Sequence, residues 1–198
     1  MLSDGYHDIP QGKLAMVVTL LEMRTRAAIR PVPTPDGVTL RAMDTITLDD
    51  YRDLFRRVGE EWLWFSRLGM DDETLSAIIH DPQVKLFTLE KDGKAEALLE
   101  LDFRTPKECE LLFFGLTQTL IGTGSGRYLM NFALETAWEH DIERFHLQTC
   151  TIDSPMALSF YKRSGFIPTG RKIEVADDPR NTKGWNKTVA PQTPIIEP

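Results

Sequence analysis

The chain has 198 residues, 41% of them hydrophobic and 27% charged, which suits a single domain with a real core. A net charge of −7 argues against bulk nucleic-acid binding, which needs a basic surface, but leaves room for a local basic pocket. Two cysteines, Cys109 and Cys150, are too few for a disulfide scaffold and read as free thiols in strands. No apolar run approaches the roughly 20 residues of a membrane span. The opening MLSDGYHDIPQGK lacks the basic-then-apolar order of a secretion signal, so the expectation is a cytoplasmic protein that binds neither membrane nor nucleic acid.

Residues 1–13 read as a lead-in, and Leu14–Met23 as an apolar strand. Three prolines and a glycine in Arg30–Gly37 mark a turn or linker before a strand at Val38–Met43. Thr47 then stands three residues before Asp50, as in a capping box, and Leu48, Tyr51, Leu54, Phe55 and Val58 recur at helical spacing. Glu60–Gly69 concentrates Trp62, Trp64 and Phe65, and Asp71–His80 is a short helix with acidic residues in its first turn. Val84–Lys91, Lys94–Arg104 and Glu108–Thr117 form a meander of strands, its first turn signalled by Asp92-Gly93.

The apolar run Leu111–Leu116 leads into glycines at 122, 124 and 126, after which a helical pattern runs to about His140. Strand, glycine loop and helix N-terminus together make a site for a phosphate or pyrophosphate. Arg144–Thr151 is the next strand, parallel to its neighbour because a helix joins them. Ser154 and Pro155 read as the cap and first residue of a helix that Gly165 ends. A last strand spans Phe166–Val175, and residues 176–198 read as a tail.

Leu116–Met130 followed by Gln148–Phe166 resembles the GNAT N-acetyltransferase superfamily. Gly124-Ser125-Gly126 matches the glycine pair of that family's pyrophosphate motif, with Ile121 where a polar residue is usual. Ala157, Phe160, Tyr161, Gly165 and Phe166 match its second block, with Asp153 or Ser154 replacing the usual Asn. The resemblance implies an α/β, or mixed α+β, fold: a mostly antiparallel twisted sheet of six to seven strands, flanked by helices. The strand before the loop would splay from the next parallel strand. One domain is expected over 1–175 (extension 1–37, core 38–175), then the tail 176–198.

The resemblance also implies acetyl-CoA, or a related acyl-CoA, as cofactor, and an acetyl transfer to a primary amine of a small molecule or peptide. The binding residues it implies are Leu116 and Thr117 for the pantetheine arm, and Ile121, Gly122, Thr123, Gly124, Ser125, Gly126 and Arg127 around the pyrophosphate. Tyr161 matches the tyrosine that protonates the departing thiolate, and Glu110 stands where the family carries a general base. Glu100 and His146 are rivals for that role, and Glu100 could also face the acceptor cleft as a substrate-binding residue. Trp62, Trp64 and Phe65 could wall an acceptor pocket, with Glu60 and Glu61 attracting a cationic amine. The four histidines show no metal-ligand spacing. The alternatives are a catalytically silent acyl-CoA sensor of the same fold and a binder of ATP or NAD; the Leu14–Met23 run and the tail could serve a homodimer.

Overall fold

The computed structural model describes residues 3–198. The strands are β1 (Lys13–Met23), β2 (Val38–Ala42), β3 (Val84–Lys91), β4 (Lys94–Ala95), β5 (Ala97–Asp102), β6 (Glu108–Leu116), β7 (Arg144–Cys150) and β8 (Ile167–Asp177). The helices are α1 (Leu48–Gly59), α2 (Asp72–Ile79), α3 (Ser125–Glu139), α4 (Ala157–Arg163) and α5 (Pro179–Thr182). All strands share one open sheet in the order β2-β3-β5-β6-β7-β1-β8, with β4 paired to β3. Every pairing is antiparallel except β6 with β7.

Helix boundaries follow local chemistry. Thr47 caps α1 by accepting the Asp50 amide at 3.1 Å, and Asp71 caps α2 by accepting the Thr74 amide at 2.7 Å. Ser154 does not cap α4. It forms a turn in which its carbonyl accepts the Ala157 amide at 2.8 Å, and the helix begins at Ala157, later than the sequence suggested. Gly165 closes it at φ +102°, where an added Cβ would meet the Ala27 Cβ at 2.4 Å.

One face of the sheet packs on α3 and α4 through Leu101, Cys109, Leu129, Ala133 and Phe145. The opposite face packs on α1 and α2 through Tyr51, Phe55, Leu75, Leu86 and Leu98. A third cluster joins Leu14, Met16 and Val18 of β1 to Leu63 and Ala190.

Three features differ from the sequence expectation. The sheet has eight strands rather than six to seven, because the Lys94–Arg104 run breaks into β4 and β5 at Glu96. Strand β1, read as part of an N-terminal extension, lies inside the sheet between β7 and β8. Residues 176–198, expected as a tail, pack against the body. Arg180 is buried there: it pairs with Asp178 at 2.7 Å and donates to the carbonyls of Val189, Ala190 and Thr193 at 3.1, 3.2 and 2.9 Å.

Candidate active site

The parallel ladder between β6 and β7 is short. It pairs Glu108 with Arg144, Cys109 with Phe145 and Glu110 with His146, and there it ends. Beyond that point β6 runs on to Leu116 paired only with β5, and β7 to Cys150 paired only with β1. Strands that stop pairing expose backbone groups that need other partners. A cavity of about 740 Å³ occupies the opening, with Leu111–Leu116 on one wall and Gln148–Cys150 on the other.

At one end of this cavity lies the glycine loop. Gly122 and Gly124 take φ +79° and +88°, and a Cβ at either would point into open space. Gly124 is the N-cap of α3, with no side-chain cap. Among the described residues, the amides of Gly122, Gly124, Gly126 and Arg127 have no acceptor within the chain. Free amides at the positive end of a helix form an anion cradle, and a pyrophosphate fits its chemistry. Arg127 lines the same space, its guanidinium 4.7 Å from the Phe160 ring and 2.9 Å from the Ser164 hydroxyl. Burial holds its pKa below the usual value, with Arg30 and Arg163 adding to the effect.

Of the residues assigned to this cofactor end, Leu116, Ile121, Gly122, Gly124, Gly126 and Arg127 line the cavity. Thr117, Thr123 and Ser125 do not. The Thr117 hydroxyl donates to Glu96, and the Thr123 hydroxyl bonds the Leu120 carbonyl (2.8 Å) and Ser125 (2.7 Å), so their side chains brace the loop.

Tyr161, on α4, lines the cavity and is packed among Phe114, Phe160 and Phe166. Burial raises its pKa, Asp153 adds to the rise, and the hydroxyl stays protonated. Asp153 itself accepts from the Thr149 hydroxyl (2.6 Å), the Cys150 amide (2.8 Å) and Trp64 Nε1 (3.4 Å).

The opposite end of the cavity is aromatic. Trp62, Trp64, Phe65 and Phe113 face it, joined by Met16 and Val18 from β1. The other proposed acceptor residues lie elsewhere. Glu61 points outward and accepts from Gln118 at 2.8 Å; neither it nor Glu60 lines the cavity. Glu100 is wholly buried behind the wall, accepting from Tyr51 at 2.7 Å and paired with Arg67. Burial outweighs these partners and raises its pKa.

Glu110 also falls outside this cavity. It lines a separate depression of about 370 Å³ with Asp102, Arg104, Thr105 and His146. Burial raises its pKa, as does neighbouring Asp102, and burial lowers that of His146. Glu110 nonetheless belongs to the last paired position before β6 and β7 part, and the next residue, Leu111, is on the cavity wall.

Sequence reasoning did not assign a site role to Met16, Val18, Gln148 or Glu174. The apolar strand Leu14–Met23 was visible, but the pairing of β1 with β7 that brings Met16 and Val18 here was not.

The acetyltransferase (GNAT) family profile matches residues 46–166. The chain belongs to the GNAT acetyltransferase family. A solved GCN5-related N-acetyltransferase from Sphaerobacter thermophilus aligns over 98% of this chain at 14% identity, with a TM-score of 0.61. This chain spans only 55% of that protein's length. A GNAT acetyltransferase from Elizabethkingia anophelis, solved with acetyl-CoA bound, is 16% identical over 68% of this chain and 79% of its own, at a TM-score of 0.52. The ribosomal-protein-S18-alanine N-acetyltransferase of Escherichia coli is 15% identical over 70% of this chain and 90% of its own, at 0.56. At these identities the likeness is one of fold. No match was found among curated protein sequences.

Proposed function

We propose that this GNAT protein transfers an acetyl group from acetyl-CoA directly to a primary amine of a small molecule or peptide. The observation that carries the reading is the juxtaposition of an anion cradle and a buried phenol on one cavity that opens where β6 and β7 part.

Acetyl-CoA would supply an acyl group activated as a thioester. The amides around Gly122–Gly126 and the Arg127 guanidinium are suited to hold its diphosphate, and the β7-facing backbone groups between Leu112 and Leu116 its pantetheine arm. Glu110, at the last paired position before β6 and β7 part, then takes the ammonium proton through water, and the rise of its pKa by burial and Asp102 makes it a stronger base than an ordinary carboxylate. The amine nitrogen would bond to the acetyl carbon as the carbon–sulfur bond breaks, and its second proton would pass through solvent to restore the Tyr161 phenol. Tyr161 gives the departing thiolate a proton, which a phenol kept protonated by burial can do.

Direct transfer is favoured over a thioester on the protein. Cys150 is the cysteine on the cavity wall, and burial pushes its thiol up to about 11, so little thiolate exists at neutral pH.

Calorimetry with coenzyme A and a thiol-release assay with acetyl-CoA and amines test this reading. The expected result is binding together with amine-dependent thiol release. Binding without release from any amine would favour the silent sensor, and no heat with coenzyme A would overturn both. Glu110→Gln tests the base: kcat/KM of the parent rises as pH climbs through the raised carboxyl pKa, and the variant loses that acid limb.

A further inference from the structure

The transferase reading leaves the acceptor open, and the charges on the cavity wall narrow it. A polyamine or aminoglycoside carries several ammonium groups, and each one buried needs its own carboxylate. The described residues offer the cavity two, Asp153 and Glu174. Both oxygens of Asp153 already accept from the protein, Oδ2 from the Thr149 hydroxyl and the Cys150 amide and Oδ1 from Trp64. Glu174, on β8, enters no ion pair or side-chain hydrogen bond among the described residues. Its charge reaches the cavity wall, where it adds to the raised pKa of Cys150.

The rest of this end is apolar and flat-sided. Trp64 packs against Phe113 with ring centroids 5.3 Å apart and against Phe55 at 5.4 Å, so the wall is rigid. Trp64 is also held by Asp153, and Gly59 leaves room for it: a Cβ there would lie 2.4 Å from the indole. Rigid aromatic walls recognise flat apolar bodies by area and stacking.

Resting on the transferase reading, we propose that the acceptor is a monoamine carried on an aromatic or similarly flat apolar body. The body lies against Trp62, Trp64, Phe65 and Phe113, and Glu174 matches its single positive charge. Glu174 is thus a specificity-determining residue, and a second or third ammonium finds no partner.

The test is a thiol-release assay with acetyl-CoA and three kinds of amine: 2-phenylethylamine and tryptamine, spermidine, and an aminoglycoside. The kcat/KM of an aromatic monoamine should exceed that of either polycation by about tenfold or more, the scale on which apolar pockets discriminate. Glu174→Gln should raise KM for the aromatic amine about three- to fivefold, as expected for one solvent-exposed charge contact, with KM for acetyl-CoA unmoved. Preference for spermidine or the aminoglycoside, or an unchanged amine KM in the variant, overturns the acceptor class and leaves the transferase reading standing. Tight coenzyme A binding with no turnover of any amine overturns both.

Discussion

The two ends of the cavity are built differently. The cofactor end is local: a strand, a loop and a helix that follow one another between Leu111 and Glu139, presenting main-chain amides. The acceptor end is assembled from β1, the 62–67 segment, β6 and β8, and presents side chains. A site made of backbone tolerates changes of side chain except where a Cβ is forbidden. A site made of side chains from distant segments depends on each of those segments being held. One half is therefore suited to a constant ligand, and the other to one that varies between related proteins.

The sharpest way to probe this contrast is at the point where the two ends meet. Tyr161→Phe keeps the ring and its packing and removes one proton donor. kcat should fall roughly 10²- to 10⁴-fold, while calorimetry gives nearly the parent Kd for coenzyme A.

A second prediction concerns the acceptor end alone. Arg67→Met leaves Glu100 buried without its cation, and unfolding free energy should drop by about 3–5 kcal/mol. That corresponds to a fall in Tm of roughly 10 °C, readable in a thermal melt. The loss depends on pH. The folded-state pKa of Glu100 is raised, so the native state holds its proton more tightly than the unfolded chain. Its contribution is thus fully present below the ordinary carboxyl value of 4.5 and is lost as pH rises through the folded value. In the variant the deficit should shrink on acidification, where Glu100 is neutral, and a pH-independent deficit would contradict the ion-pair account.

The smallest expected effect is at the cofactor end. Gly124→Ala places a Cβ at φ +88° with nothing near it to clash. The cost is backbone strain of about 1–2 kcal/mol, which should appear as roughly a tenfold weaker Kd for coenzyme A with the amine KM unaffected. An equal loss at both ends would mean that they are not separable.

The same division explains what could be read from the sequence. The glycine loop was legible because its signals lie within a few residues: an apolar run, Gly122, Gly124 and Gly126, then helical periodicity. Tyr161 was legible because its neighbours Phe160, Gly165 and Phe166 form a compact pattern. The acceptor end was not. Nothing local in Leu14–Met23 says that it pairs with both β7 and β8, and those long-range registers bring Met16, Val18 and Glu174 to the cavity. Glu60 and Glu61 show the converse error: adjacency to Trp62 in sequence suggested a shared pocket, but the short helical turn at 60–62 leaves Glu61 outside, bound to Gln118. The Ser154 cap failed for a similar reason. Its hydroxyl accepts the Met156 amide at 3.4 Å and its carbonyl the Ala157 amide, but these bonds close a separate turn and the helix starts only at Ala157.

The packed segment after β8 has a consequence for how such a protein could be altered. Its backbone is gathered around Arg180, and from there Gln192 reaches the Glu61 carbonyl at 3.0 Å while Lys183 sits 6.0 Å above the Phe65 ring. Ala190 packs in one cluster with Leu63. The aromatic platform is therefore buttressed from behind by residues that touch neither reactant. Under the proposed function, substitutions along 183–192 would retune which amines are admitted while leaving the glycine loop as it is.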